Sequence, residues 1–321
     1  MKLFTILLSL ALSVSANTLP CASDPFTDPK NDPCNYLGYI PSNIYTTIAL
    51  VIISVIGALQ LLCMLKWGAK WMIVMTIGVF NYAIGLALRY ALHSNPQSKG
   101  MFIVMDLLII LSPCALVAAL YILLERLATH VNRLDYLWLS RSPGLITKIF
   151  LSFDTLSFIA MAAGEVISIT DNTKSRRDLG DRITLGALIL LTVSLAVFLA
   201  MFIRFLLKIS KHDKDLWNKD KNAQKPKIKD WRFFALTSAN SCLLILIRCI
   251  YRISTKANGF DSSAATNEGV LYMFDAIQIG QVGAFFVVFW PGRFMGPEHF
   301  VTSEPMSLTK YGDSSIPLTA V

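Results

Sequence analysis

The sequence predicts an all-α polytopic membrane protein, a seven-transmembrane-helix bundle with its N-terminus lumenal or extracellular and its C-terminus cytoplasmic. Three observations carry this. Seven apolar stretches fill the chain from about Asn43 to Trp290. Composition agrees, at 54% hydrophobic and only 16% charged, against roughly 25% charged in an ordinary soluble domain. Lys and Arg are unequally divided between the two sets of loops, 17 on one side and seven on the other, and an excess of that kind marks the cytoplasmic face. A span needs about 20 apolar residues to cross about 30 Å of hydrocarbon. A strand barrel would show short alternating segments instead, and the sequence has none.

Residues 1–16 are read as a cleaved signal peptide: Lys2 precedes an apolar run from Leu3 to Val14, and Ser13-Val14-Ser15-Ala16 offers small residues for cleavage. The other reading, an extra short first helix, is disfavoured because the run is too short to span. Residues 17–42 then form a lumenal tail, in which an oxidising compartment permits a Cys21–Cys34 disulfide. Cys63, Cys114, Cys242 and Cys249 lie in apolar stretches without metal-ligand spacing and read as small buried hydrophobes. The spans are placed at 43–65, 70–91, 101–124, 146–168, 183–207, 233–253 and 269–290, and residues 291–321 form a cytoplasmic tail. The net charge of +8 needs no nucleic acid to explain it. Its densest part, the 208–232 loop, faces the cytoplasm and suits anionic lipid headgroups.

Ionisable residues inside the spans are the informative ones, because an unpaired charge in hydrocarbon costs several kcal/mol. Arg89 lies near the lumenal end of span 2, Asp106 slightly deeper on span 3, and Glu165 near the lumenal end of span 4. On span 6, Arg248 and Arg252 share a face at i, i+4, with Ser241 seven residues earlier. On span 7, Glu268, Tyr272 and Asp275 share a face at i, i+4, i+7. Spans 6 and 7 run antiparallel, which sets Arg252 level with Glu268 and Arg248 level with Asp275. The expected result is a polar chamber in the lumenal half, with three cations against four carboxylates and one carboxylate left over for a cationic ligand or a proton. The bland alternative is an ion-pair lattice that only holds helices together.

Asp154, deeper on span 4, is expected at a gate or relay position. Pro113 interrupts span 3 and frees a backbone carbonyl, giving a kink that can act as a gate. Gly78, Asn81, Gly85 and Arg89 form one stripe on span 2, which suits close helix packing. No HExxH, GxSxG, phosphate-cradling glycine loop or metal-ligand spacing occurs, so neither an enzyme nor a cofactor is expected. Span 7 has no Lys to hold a retinal Schiff base.

Several motifs resemble one known family. They are Gly38-Tyr39-Ile40-Pro41-Ser42-Asn43, Leu111-Ser112-Pro113-Cys114-Ala115-Leu116 with Tyr121, Ser152-Phe153-Asp154-x-x-Ser157, Arg248-x-x-x-Arg252, Glu268-x-x-x-Tyr272-x-x-Asp275 and Pro291-Gly292. Their order and spacing over about residues 36–295 are similar to the fungal lipid-translocating exporters, the group associated with aminocholesterol resistance and release of sphingoid long-chain bases. The chain departs from that pattern near Met161, where the family has a glutamine, and at Trp290, where it has a histidine. The resemblance implies a fungal plasma-membrane or endomembrane protein that handles an amphiphile, and members linked to porphyrin uptake leave substrate and direction open. The reading is therefore translocation of an amphiphilic lipid such as a sphingoid base, with Asp275, Asp106 or Glu165 meeting its ammonium group. Arg248 and Arg252 would hold those carboxylates or bind a phosphate. A seven-helix receptor or lipid-stress sensor is the alternative.

Overall fold

A computed structural model describes residues 24–30, 32, 34–35, 37–131, 134–136, 144–170, 173–212, 231–257 and 268–293. The expected signal peptide, most of the basic loop (213–230) and the tail from 294 lie outside these residues. So does Cys21, and with it the expected Cys21–Cys34 pairing; Cys34 itself is buried. Cys63, Cys114, Cys242 and Cys249 are free thiols within the bundle.

Among the described residues, seven helices are long and apolar enough to cross a membrane. They are α1 (Asn43–Trp67), α2 (Ile73–Ser94), α3 (Lys99–His130), α4 (Leu145–Thr170), α5 (Lys174–His212), α6 (Trp231–Ala257) and α7. The last begins at Glu268–Leu271, passes through a π-helical turn at Tyr272–Ala276 and continues as Ile277–Val288. Several run past their predicted spans, α5 most of all with 39 residues, because a helix does not stop where hydrocarbon stops. At about 1.5 Å per residue it is roughly twice the length needed to cross.

Consecutive helices pack side by side, and α7 closes the ring against α1 and α6; α3 additionally reaches α6 across the interior. The apolar character of α1 and α3 serves opposite surroundings. On α1, Ile48, Ile52, Val55, Leu59 and Leu62 form an exposed stripe at i, i+3/i+4 spacing, which hydrocarbon covers. On α3, twenty residues from Phe102 to Ala128 are buried within the protein, making it the central helix.

Close approaches follow the small residues. A Cβ at Gly78 would sit 3.0 Å from the Ser112 carbonyl oxygen and one at Gly85 2.8 Å from the Ile109 side chain, so α2 lies tightly on α3, as the glycine stripe predicts. A second tight crossing joins α4 and α5, where a Cβ at Gly164 would meet the Gly180 carbonyl oxygen at 2.8 Å. With little hydrophobic drive between helices in lipid, backbone proximity of this kind supplies the packing energy. At the far end of α7, Trp290 is fully buried and its indole N–H donates to the Gly68 carbonyl at 3.2 Å, while Arg293 lies 3.8 Å over the Trp67 ring. The Trp290-Pro291-Gly292 segment thereby braces the α1–α2 turn.

Candidate functional site

The intramembrane charges gather at the end of the bundle where α1 begins. Arg248 and Arg252, one turn apart on α6, both grip Asp275. Arg248 makes its pair through Nε, and Arg252 donates from Nη2 at 2.7 Å and reaches Asp106 from Nη1 at 3.5 Å. Beside them Arg89 pairs with Glu268 at 2.8 Å and donates to the Tyr39 hydroxyl at 3.0 Å. Lys256 donates to both oxygens of Glu165, at 2.7 and 2.8 Å. Arg89, Glu165, Arg248 and Asp275 are each at least 97% buried. In so dry a site, removing one partner costs far more than the pair gains in water.

Two backbone irregularities aim these side chains. Pro113 has no N–H, so the carbonyl four residues earlier, that of Ile109, loses its helical donor. Arg248 Nη2 fills that vacancy at 3.1 Å. The freed carbonyl expected from Pro113 is thus occupied by a site arginine, while α3 continues as one helix through the proline. The π-helical turn at Tyr272–Ala276 inserts an extra residue into α7 just where Asp275 sits. Such turns alter which face later residues present and recur at functional sites.

The turn also separates the three residues expected on one stripe. Asp275 faces α6, Tyr272 shares a 2.9 Å hydrogen bond with Thr46 of α1, and Glu268 turns to Arg89 and accepts the Ser42 backbone N–H. The expected level of Arg248 with Asp275 is the observed one. Arg252 is not level with Glu268; it shares Asp275 with Arg248. The expected charge excess is also overturned, because Lys256, predicted to lie in a loop, is in the last turn of α6 and faces Glu165. Four cations oppose four carboxylates.

Sequence reasoning missed a further wall of the site. The chain just before α1 folds over the charged end: Tyr39 stacks its ring 5.8 Å from the Arg89 guanidinium, the Pro41 carbonyl lies 2.7 Å from His93 Nδ1, and Asp32 accepts from Gln97 at 2.9 Å. Nothing local in a short polar tail announces these partners, although Gly38-Tyr39 was legible as a motif. Together these residues enclose a cavity of about 130 Å³, lined by Leu37, Tyr39, Arg89, Asp106, Glu165, Tyr251, Arg252, Lys256 and Leu271. Among the lining residues, Asp106 Oδ2, Arg89 Nε and Arg252 Nε are buried without a hydrogen-bond partner. On the lipid side of the same α7 turn, an almost wholly apolar groove of about 420 Å³ runs between α1 and α7, from Tyr45 and Tyr272 down to Ala284.

Asp154 stands apart from this cluster. It is 3% exposed and accepts from the Tyr121 hydroxyl at 2.7 Å and from Ser194 at 3.1 Å. Ser241 is buried and spends its hydroxyl on the Thr237 carbonyl, so it adds nothing to the chamber. Arg204 is exposed on α5.

Several known proteins are similar in sequence to this chain. The chain is 28% identical over 233 residues to Protoporphyrin uptake protein 1 of Saccharomyces cerevisiae, an alignment covering 72% of this chain and 71% of that protein. It is 26% identical over 231 residues to Protein RTM1 of the same species, covering 72% and 70%. It is 24% identical over 335 aligned positions to the Sphingoid long-chain base transporter RSB1 of strain YJM789, covering 94% and 85%. No solved structure matches the chain. The family described as RTA1 like protein matches residues 75–298, a stretch that holds every chamber charge and both backbone irregularities, and the chain belongs to that family.

Proposed function

We propose that this protein moves an amphiphilic lipid across a fungal membrane without changing it covalently, and that a sphingoid base is such a lipid. One observation carries the reading. At the start of α7, Leu271 lines the charged cavity and the next residue, Tyr272, lines the apolar groove, so a polar and an apolar binding surface lie back to back across one turn. The cavity is large enough for a headgroup and too small for a lipid tail. The groove runs twelve residues along α7, about 18 Å, which is close to the thickness of one leaflet of a roughly 30 Å core. Relatives named for a sphingoid base and for protoporphyrin point the same way, since both molecules join a large apolar body to ionisable groups.

Within this reading, Asp106 and Glu165 receive an ammonium group. Asp275 is already saturated by two arginines, whereas Asp106 has an unused oxygen and Glu165 is held by a lysine on a flexible stem that a second primary amine can displace. Arg248 and Arg252 hold Asp275 and Asp106 in place, and Arg89, Glu268 and Tyr272 fasten the Tyr39 segment over the cavity. The charged end is lumenal, as the Lys and Arg distribution predicts, and the basic loop between α5 and α6 lies against anionic headgroups on the cytoplasmic side.

The test is movement of a labelled sphingoid base across vesicles reconstituted with the purified protein, beside empty vesicles and Asp106→Asn and Asp275→Asn variants. Movement that depends on protein and falls at least tenfold in a folded Asp106→Asn variant supports the reading. Binding of the lipid without movement overturns it in favour of a receptor or lipid-stress sensor.

A further inference from the structure

We infer that Asp154 is a proton-binding site midway through the bundle, so that this protein couples its movement of an amphiphile to protons. The inference rests on the transport reading for its consequence, and on the surroundings of Asp154 alone for the site.

Asp154 lies nine residues into α4, about 14 Å from the end opposite the chamber. A carboxylate this deep normally faces a cation, as every carboxylate in the chamber does. Among the described residues no Lys, Arg or His is bonded to it. Among the described residues its two hydrogen-bond partners are neutral, the Tyr121 hydroxyl of α3 and the Ser194 hydroxyl of α5, and the charged group that acts in the same region is Arg248 of α6. Arg248 on α6 is committed to Asp275 and to the Ile109 carbonyl. An ionised carboxylate with two hydroxyl donors and no counter-charge is expensive at this depth, whereas a carboxyl group that has taken up a proton is not. Carboxyl groups of this kind serve as proton stations in membrane transporters.

The two sides of Asp154 differ. Toward the chamber, two turns along α4 at Met161, a void of about 20 Å³ is lined also by Cys249, Pro113 and Arg248 and shares Arg252 and Lys256 with the large cavity. It is large enough for about one water, and the Thr184 hydroxyl, buried without a partner, is available to hold that water. Toward the other end, Thr147 of α4 donates to the half-buried Glu125 at 2.9 Å and lies 3.3 Å from the Tyr121 carbonyl, at the opposite end of that residue from the hydroxyl on Asp154, so these bonds do not continue the Tyr121–Asp154 bond. The Tyr121 ring stands between the two, wedged against Phe198 at 4.5 Å and Phe150 at 5.4 Å. Asp154 is therefore closed off from the Glu125 side by an aromatic layer, and the void on the chamber side ends at Met161, two turns of α4 away.

Infrared difference spectra of the full-length protein in lipid vesicles, recorded without amphiphile in H2O and D2O as pH is raised, test the site directly. A protonated-carboxyl carbonyl band is expected in the native protein, lost at high pH, absent from Asp154→Asn and shifted in Tyr121→Phe. Spectra of the native protein and Asp154→Asn that superimpose overturn the inference. The consequence is tested with labelled sphingoid base in vesicles with and without a pH gradient: the native protein should move lipid at least fivefold faster with the gradient, and folded Asp154→Asn should lose that difference while still binding lipid. Equal acceleration in both proteins, or in neither, overturns the coupling. If no lipid moves under any condition, the transport reading fails and the infrared result alone decides the proton site.

Discussion

The same side chain is handled by two different kinds of physics in the two halves of this bundle. At the charged end, Asp275 and Asp106 sit among guanidinium groups, and Coulomb attraction offsets the desolvation of both signs. In the opposite half, Asp154 accepts from two hydroxyls, one of them on Tyr121, whose ring is wedged against Phe198 and Phe150. The contrast teaches that buried carboxylates in a membrane protein divide into those fixed as anions by a partner and those free to change protonation. Only the second kind can report or use a proton; the first kind is suited to positioning.

The largest expected effect lies in the first region. Asp275→Ala strands two buried arginines, with a single oxygen of Asp106 at 3.5 Å from one of them, and breaking a buried pair costs about 3–5 kcal/mol. Thermal unfolding in nanodiscs should show the largest loss of any substitution considered. If Asp154→Ala lowers stability as much as Asp275→Ala, the two regions are not governed differently and the comparison breaks.

Next comes the seam that joins the regions. Gly164 immediately precedes Glu165, and any side chain there meets Thr184 and the Gly180 carbonyl of α5. Gly164→Val should force α4 and α5 apart at a cost of about 1–3 kcal/mol and shift Glu165 away from Lys256. Stability and lipid binding should fall together. Unchanged unfolding would mean that α5 can slide freely at this crossing.

Asp154 sharpens the comparison through two substitutions. Asp154→Leu leaves the Tyr121 and Ser194 hydroxyls without an acceptor in a dry interior, costing about 1–3 kcal/mol. Asp154→Asn keeps an acceptor and no charge, and should lose less than about 1 kcal/mol. A large loss in the Asn variant would mean that Asp154 works as an anion, like its counterparts in the chamber.

Much of this was legible in the sequence, for identifiable reasons. Hydropathy located the seven helices because lipid and protein interior both demand apolar residues, and for the same reason it did not distinguish lipid-facing α1 from central α3. Gly78, Gly85 and Pro113 signalled close approach and a freed carbonyl, which are consequences of a missing Cβ and a missing N–H. Lys256 was lost because Ser254-Thr255-Lys256 looks like the end of a span, although helix and lysine stem both continue inward to Glu165. The π-helical turn has no local signature in Tyr272–Ala276, and the Tyr39–Arg89 and Ser42–Glu268 contacts join residues 50 or more positions apart, so no pattern along the chain encodes them.

The smallest expected effect concerns how the chamber is covered. Glu268 is 13% exposed and ties three elements together, accepting from Arg89 at 2.8 Å and from the Ser42 backbone N–H at 3.0 Å. Because water reaches this pair, its loss is screened in a way that loss of Asp275 is not. Glu268→Gln keeps the shape and one acceptor oxygen, so global stability should fall by only about 1 kcal/mol. The local effect should be larger than the global one: without the carboxylate, Arg89 keeps Tyr39 and the Tyr272 ring, and a single amide oxygen must serve both Arg89 and the Ser42 end of the covering segment. Hydrogen exchange should therefore speed up at residues 37–45 while the amides of α3 stay protected. Faster exchange across α3 as well would show that the Arg89–Glu268 pair belongs with the deep pairs that hold the bundle together, and would move the boundary between the two regions outward to the membrane surface.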